Sequence, residues 1–533
     1  MPLELDSVDV LDTLVQIARG LASVDGEHAI LEMIVDEAMR LTNADGATLY
    51  VIKDNGIHFE VVRNPTLGIH FGGTSGTSLP SEFEPISLNG DVQDHVVLHV
   101  IHTGKIANIE DVYDSQFDFS GTYAMDKSMG YRSQSFLTVG MFKRDLEPIG
   151  VLQLINAKNV ETGVVQPFSL LQESLVEALA GMGGGIINNT ALHTELAELL
   201  DSFIKLIAGA VDAKSPYTGG HCRRVPDLVM DFAYAIHAAG DGPFGEIEFS
   251  DADMYELHVA GWLHDIGKIC IPEYVMDKAT KLETIYDRIH EVEFRFAVAK
   301  KEAEISMLRS CMSGKDESEA KAELERVCME LDEDFAFIRQ ANIGGEFMHD
   351  KDIERIHSIA KRTIDLGGQS RPILTQDYVD NLCIRRGTLT FDERDKIRDH
   401  MRITIDMLEQ MPFPRNLQRV PEFAGGHHET MIGTGYPKGL TRDQMSIQAR
   451  MMAIADVFEA LTASDRPYKP AKKLSEAMRI MGFMKKDHHL DPELFNEFVR
   501  LDVYLTFAEK YMDPTNIDCI DKEALMAIQP KIL

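Results

Sequence analysis

The chain is short of positive charge: 53 Lys and Arg stand against 86 Asp and Glu, a net charge of −33. That balance argues against binding to a long nucleic acid by counterion release. An anionic substrate must instead be held by a local cluster of metal and Lys/Arg. The six cysteines (Cys222, Cys270, Cys311, Cys328, Cys383, Cys519) show no CxxC spacing, so neither a zinc knuckle nor a disulfide framework is indicated, which fits a reducing cytoplasm. No run approaches the roughly 20 apolar residues needed to span a bilayer. The start, MPLELDSVDVLDTL, lacks the basic residues and apolar stretch of a signal peptide. The expectation is a soluble, cytoplasmic protein. Its 533 residues suffice for two or three domains, each with its own core.

Residues from about Val10 to Thr42 read as amphipathic helix, with Leu11, Leu14, Val15, Ile30, Ile34 and Leu41 near helical spacing. Strand-like runs follow: Ala47 to Ile52, His58 to Arg63, Ser135 to Phe142 and Ile149 to Asn156, the last two joined by a KRDLEP turn. Helix, strands, helix predict an α+β domain around an antiparallel sheet. GYRSQSFLTVGMF and PIGVLQLINA, ahead of a closing helix, resemble the GAF family over residues 10–185. The resemblance implies a sensory or dimerising module that takes a small ligand of unknown identity. No cysteine lies in this segment, which excludes a thioether-linked bilin. His70, His95, His99 and His102 read as surface or core histidines rather than haem ligands.

A helical pattern then runs from Phe168 to about Ala213. GMGGGI (Gly181 to Ile186) interrupts it, so a kink is expected there, and residues 186–210 read as a helical linker of the kind that pairs with its twin in a homodimer. Nearly everything after Val211 is helical in pattern. Between about 279 and 386, i,i+4 charge pairs and heptad-like apolar positions predict a long helical hairpin. Residues 506–533 read as a C-terminal helical tail.

Two dense clusters of metal-ligand side chains stand out: HDIGK (His264 to Lys268) and HHETMIGTGYP (His427 to Pro437). With His221, His400 and Asp456 they supply five imidazoles and two carboxylates, in or beside helical patterns with apolar neighbours. One such histidine is ordinarily a satisfied core residue; the set together indicates a site for hard or borderline divalent metals. His221, His264-Asp265 and Asp456 resemble the H…HD…D pattern of the HD superfamily of metal-dependent phosphohydrolases. His400, His427-His428, GTGYP, DVFEALTASDRPYK and HHLDPEL make residues 211–505 similar to an all-α HD-GYP domain. The 279–386 stretch is then an insertion into it.

The resemblance implies a bacterial phosphodiesterase that hydrolyses cyclic di-GMP to pGpG and/or GMP by attack of a hydroxide bridging two metals, regulated by the GAF domain. Asp265 is the expected bridge. His264 and Asp456 are expected on one ion, His400, His427 and His428 on the other, with His221 on either side. Fe or Mn suits the set first, then Zn, Ni or Co. Lys268 is expected at a phosphate oxygen, with Arg466 and Lys469 as a clamp for the second phosphate and Tyr436 shaping the pocket. Three departures from the family pattern bear on this. The insertion makes His290 a rival to His400 for the third ligand motif; GTLT before His400 favours the latter. Ile432 replaces an Asp that ordinarily braces the loop. Tyr217 replaces a Glu found in three-metal members, which favours two metals. Another cyclic dinucleotide or nucleotide as substrate, and a weakly active adaptor, remain the alternatives.

Overall fold

The computed structural model describes residues 7–24, 26–53, 56–77, 79–80, 83–90, 92, 94–214, 220–345, 347–464 and 471–532. The chain divides into two compact units between Leu199 and Leu200.

The N-terminal unit opens with α1 (Ser7–Ser23) and α2 (Glu27–Thr42). These are two helices where one was expected, because Gly26 between them takes φ 98°. Strands β1 (Ala44–Lys53), β2 (Gly56–Asn64), β3 (Ile69–Gly72) and β4 (Ile86–Ser87) follow, then α3 (Val96–Thr103), β5 (Ala107–Ile109) and α4 (Ser120–Met129). β6 (Phe136–Phe142), β7 (Pro148–Lys158) and β8 (Val165–Gln166) complete one sheet of order β3-β2-β1-β7-β6-β5, with β4 on β2 and β8 on β7. All its pairings are antiparallel.

Successive residues in this sheet feed opposite layers, as the pleat requires. Leu49 and Leu152, paired across β1 and β7, pack with Ile34 and Leu179, while Tyr50 and Val151 pack with Val97 and Val100 of α3. The closing helix α5 (Leu170–Lys214) runs without a break through GMGGGI. Its glycines serve close approach rather than a kink: a Cβ on Gly183 would meet Ile34 Cδ1 at 2.4 Å, and one on Gly184 the carbonyl of Phe142 at 3.2 Å.

The C-terminal unit takes the end of α5, then α6 (His221–Ala239), α7 (Asp251–Leu263), a 3-10 turn (Ile266–Cys270) and α8 (Glu273–Met276). Next come α9 (Ile289–Met312), α10 (Glu317–Asn342), α11 (Asp350–Ala360), a hairpin of β9 (Thr363–Asp365) and β10 (Ser370–Pro372), and α12 (Gln376–Leu382). α9 and α10 form an antiparallel pair, joined by the Phe296–Phe335 ring contact at 5.5 Å and the Lys300–Asp332 ion pair. This segment has a core of its own, including Val292, Phe296, Ile338, Ile356 and Leu374. Its ends meet: Lys278 Nζ donates to Glu393 and Asn381, and Thr388 Oγ1 donates to the Lys278 carbonyl at 2.9 Å.

Helices α13 (Phe391–Glu409), α14 (Val420–Gly425) and α15 (Ile447–Thr462) return to the main core. Four more helices, from Leu474 to Ala527, follow. Phe507, Ala508 and Leu525, beyond residue 505, are buried in that core with Phe232, Phe458 and Phe498. Among the described residues, no helix is long and apolar enough to cross a membrane.

Candidate metal centre

Seven side chains converge in the C-terminal unit as two groups. His221, His264, Asp265 and Asp456 form one, and His400, His427 and His428 the other; within each, the ligand atoms lie inside 4.8 Å of one another. His221 is the first residue of α6, His264 caps the end of α7, His400 lies in α13, His427 and His428 follow α14, and Asp456 lies in α15. The helix starts are well determined by sequence. α7 and α13 each begin with a capping box, Ser250/Asp253 and Thr390/Glu393, and Ser446 caps α15. Gly267 of HDIGK lets the 3-10 turn lie on α13. Its N–H donates to Thr404 Oγ1 at 2.9 Å, and a Cβ there would stand 2.1 Å from the His400 carbonyl.

Each imidazole is aimed by its other nitrogen. His264, His400 and His427 donate Nδ1–H to the carbonyls of Gly261, Ile397 and Ala424, at 2.7, 2.5 and 2.7 Å. A carbonyl only accepts, so Nε2 carries the lone pair in all three. Asp265 turns one oxygen to each group. Oδ2 lies 3.0 Å from His221 Nε2 and 3.3 Å from His264 Nε2, while Oδ1 lies 3.2 Å from His400 Nε2. Asp456 Oδ1 is 3.3 Å from His221 Nε2.

Asp265 Oδ1, His400 Nε2 and His427 Nε2 are buried without a hydrogen-bond partner. The first two face each other as acceptor against acceptor, an arrangement a cation between them makes favourable. The residues therefore fit divalent metal, bound through nitrogen and oxygen alone.

The two groups differ electrically. Burial alone would push His221 down, but the carboxylates of Glu459, Asp265 and Asp456 overcome it and hold the imidazole well above its ordinary value. Burial likewise opposes the ionised forms of Asp265 and Asp456, yet Lys268 for the first, and His221 for the second, keep both well below the carboxylate range. His427 is pushed well down and His428 to about 4, by burial and by neighbouring charge. Metal ligation needs neutral imidazoles and ionised carboxylates, so His427 and His428 are ready at neutral pH.

Of the other expected residues, Lys268 Nζ pairs with Asp265 Oδ2. The Tyr436 ring stacks on His428, centroids 4.9 Å apart, with Arg398 over it at 5.5 Å. Burial raises the Tyr436 hydroxyl to about 12. His290 is exposed on α9, 3.7 Å from Glu293, and takes no part. Arg466, Lys469 and Tyr217 lie outside the described residues.

Sequence reasoning missed two carboxylates. Glu459 stands one turn after Asp456 on α15, with Oε2 2.5 Å from His221 Nδ1 and Oε1 accepting from Arg224 Nε at 2.7 Å. The i,i+3 spacing in DVFEAL was the available signal. Glu429 braces the loop that Ile432 was expected to leave slack: its carboxylate accepts from the N–H groups of Lys438, Gly439 and Leu440, at 2.7, 3.0 and 2.9 Å. Ile432 instead lines a separate cavity with Met526 and Ile528.

Residues 27–186 match the GAF domain family and residues 373–494 the HD domain family, so the chain carries both domains. It is 49% identical over 74 residues to a cyclic di-GMP phosphodiesterase of Pseudomonas aeruginosa, covering 14% of this chain and 17% of the relative. It is 25% identical over 339 residues to 3′3′-cGAMP-specific phosphodiesterase 3 of Vibrio cholerae, covering 61% of this chain and 46% of the relative. The chain thus spans less than half the length of these curated relatives. Among solved structures, the GAF domain of an Acinetobacter phosphoenolpyruvate-protein phosphotransferase aligns with 35% of this chain and 97% of that chain, at 19% identity and a TM-score of 0.25.

Proposed function

We propose that the C-terminal unit is a metal-dependent phosphodiesterase that opens cyclic di-GMP to pGpG and/or GMP, under control of the GAF domain. The observation that carries this reading is Asp265, one carboxylate placed between two groups of nitrogen and oxygen donors. His221, His264, Asp265 and Asp456 would hold one divalent ion, and Asp265, His400, His427 and His428 the other; Fe or Mn suits the donors first, then Zn, Ni or Co. When bound, such a pair supplies an activated water and neutralises charge at phosphorus.

The chain's own residues do the rest. Lys268 holds Asp265 through one donor of its ammonium and directs the others toward a non-bridging phosphate oxygen. Tyr436, stacked on His428 with Arg398 over its ring, shapes the pocket wall beside the donors. Arg466 and Lys469 are assigned the second phosphate. A 3′3′-cyclic GMP-AMP is the second candidate substrate, favoured by the name of the Vibrio cholerae relative.

Two further features support the regulatory part of the reading. A cavity of about 370 Å³ in the N-terminal unit, lined by Tyr50, Phe59, His95, Phe119, Tyr131 and Phe136, suits a small ligand. On α5, Leu192, Leu196, Leu199, Phe203 and Leu206 are each more than half exposed and alternate in steps of four and three, the seam of a two-stranded coiled coil with a second copy. The test is incubation of the purified chain, loaded with Mn or reduced Fe, with cyclic di-GMP and 3′3′-cGAMP. Linear dinucleotide or mononucleotide is the expected product. A metal-loaded chain that turns over neither would refute the reading.

A further inference from the structure

We infer that Asp212 and Lys214, in the last turn of α5, are positioning residues for the metal centre. The inference rests on the reading above only in taking the seven converging side chains as metal ligands.

Lys214 closes one of the two segments that meet at the site. Its Nζ donates to the carbonyls of Lys268 (3.4 Å), Ile269 (a short contact) and Ile271 (2.6 Å). An ammonium has three donors, and all three are used on the carbonyl end of one 3-10 turn, where a cation is favoured. That turn starts at Asp265 and carries Lys268. Its Gly267 N–H is tied to Thr404 of α13, so the turn is held from α5 on one side and from the helix bearing His400 on the other.

Asp212 holds the second segment. Its carboxylate accepts from the N–H groups of Gly220 at 3.0 Å and Cys222 at 3.4 Å, which flank His221. The first N–H groups of a helix lack intrahelical partners, and the N-cap residue of α6 is Gly220, which has no side chain to serve them. Asp212 supplies that cap from another helix. Ala208, Val211 and Cys222 pack together with Trp262, so the end of α5 is also seated by apolar contact on α6 and α7.

Two residues on one helical turn therefore fix both partners of the 3.0 Å contact between His221 and Asp265. A rotation or shift of the end of α5 moves both ligands together. Ligand constellations tolerate only about half an ångström of displacement, so a small movement is enough to change metal affinity and turnover.

The test uses the full chain, with Mn binding followed by calorimetry in the absence of substrate and kcat and KM measured separately. Lys214→Met keeps the length of the side chain and removes its donors; it should weaken Mn binding by about tenfold or more and lower kcat with little change in KM. Lys214→Arg, which keeps donors for the carbonyls, should restore most of the loss. Asp212→Asn, which weakens the cap without changing its size, should also weaken Mn binding and carries the test if Lys214→Met does not fold. Wild-type Mn affinity in Lys214→Met or in Asp212→Asn would overturn the inference, as would a Lys214→Arg variant no better than Lys214→Met. Because the affinities are read without substrate, failure of the wild type to cleave cyclic dinucleotides sinks the assignment of substrate and leaves this result separate.

Discussion

Glu459 Oε2 stands 2.5 Å from His221 Nδ1, on the side of the ring opposite the Asp265 contact. Its other oxygen accepts from Arg224. The carboxylate thus fixes both the tautomer and the direction of the imidazole, as outer partners of metal-bound histidines do. Glu459→Gln keeps the shape and loses the charge. It should weaken Mn binding about ten- to hundredfold with a near-native melting temperature, read by calorimetry and by circular dichroism.

The sharing of Asp265 gives an unequal pair of variants. Asp265→Ala should empty both groups and abolish turnover, whereas His400→Ala should lose only the ion of the second group. Elemental analysis after loading and desalting distinguishes them. Equal metal content in the two variants would contradict the assignment of Asp265 as the bridge.

At Gly267 an added methyl group has no room, since its neighbours at 2.1 and 2.7 Å are backbone atoms of α13. Overpacking of this kind costs about 1–3 kcal/mol. Gly267→Ala should lower the melting temperature and turnover together, and a variant with unchanged thermal unfolding would count against the close packing of this turn.

A pH effect is expected from the segment between Lys278 and Thr388. Burial pushes Lys281 down to about 8, while its Nζ donates to the carbonyls of Leu382 and Ile384, both at 2.8 Å. Its ordinary value is 10.5. Between these two values the unfolded chain holds a proton that the folded chain has lost, so this group's contribution to stability rises with pH across that window. Below it, both states are protonated and the contribution is constant. Burial raises the neighbouring Cys383 thiol, which acts in the opposite sense. The stability difference between wild type and Lys281→Met, from urea unfolding at pH 7 to 10.5, isolates the lysine and should grow above about pH 8.

The seam on α5 predicts the oligomeric state. Leu199→Glu with Phe203→Glu places like charges in a two-stranded core and should convert a dimer to monomer in analytical ultracentrifugation. A wild-type chain that is monomeric at micromolar concentration would remove the seam from the account.

The convergence of the seven side chains was legible in the sequence because they are dense, chemically unusual and in part confined to short motifs such as HDIGK and HHET. The long strands were legible too: Val-, Ile- and Leu-rich runs mark β1, β2, β6 and β7 to within a few residues. The short strands β3, β4, β5 and β8 left no comparable signal, being two to four residues long. Gly181 to Gly185 misled, because glycines that admit a close neighbour look in sequence like glycines that end a helix. Glu429, Glu459, Asp212 and Lys214 were missed for a common reason. Each acts by what it touches, and apart from the i,i+3 spacing of Glu459 from Asp456 an ordinary carboxylate or ammonium discloses little until its partners are known.

The stitching of Lys278 to Glu393 and Thr388 has a further consequence. A polypeptide detour whose two ends lie side by side adds almost nothing to the path of its host, and the entropy of closing it grows only slowly with its length. The stretch between these residues behaves as an appendix on a single point of the framework. Motif spacing along the chain therefore bears no relation to distance within the molecule.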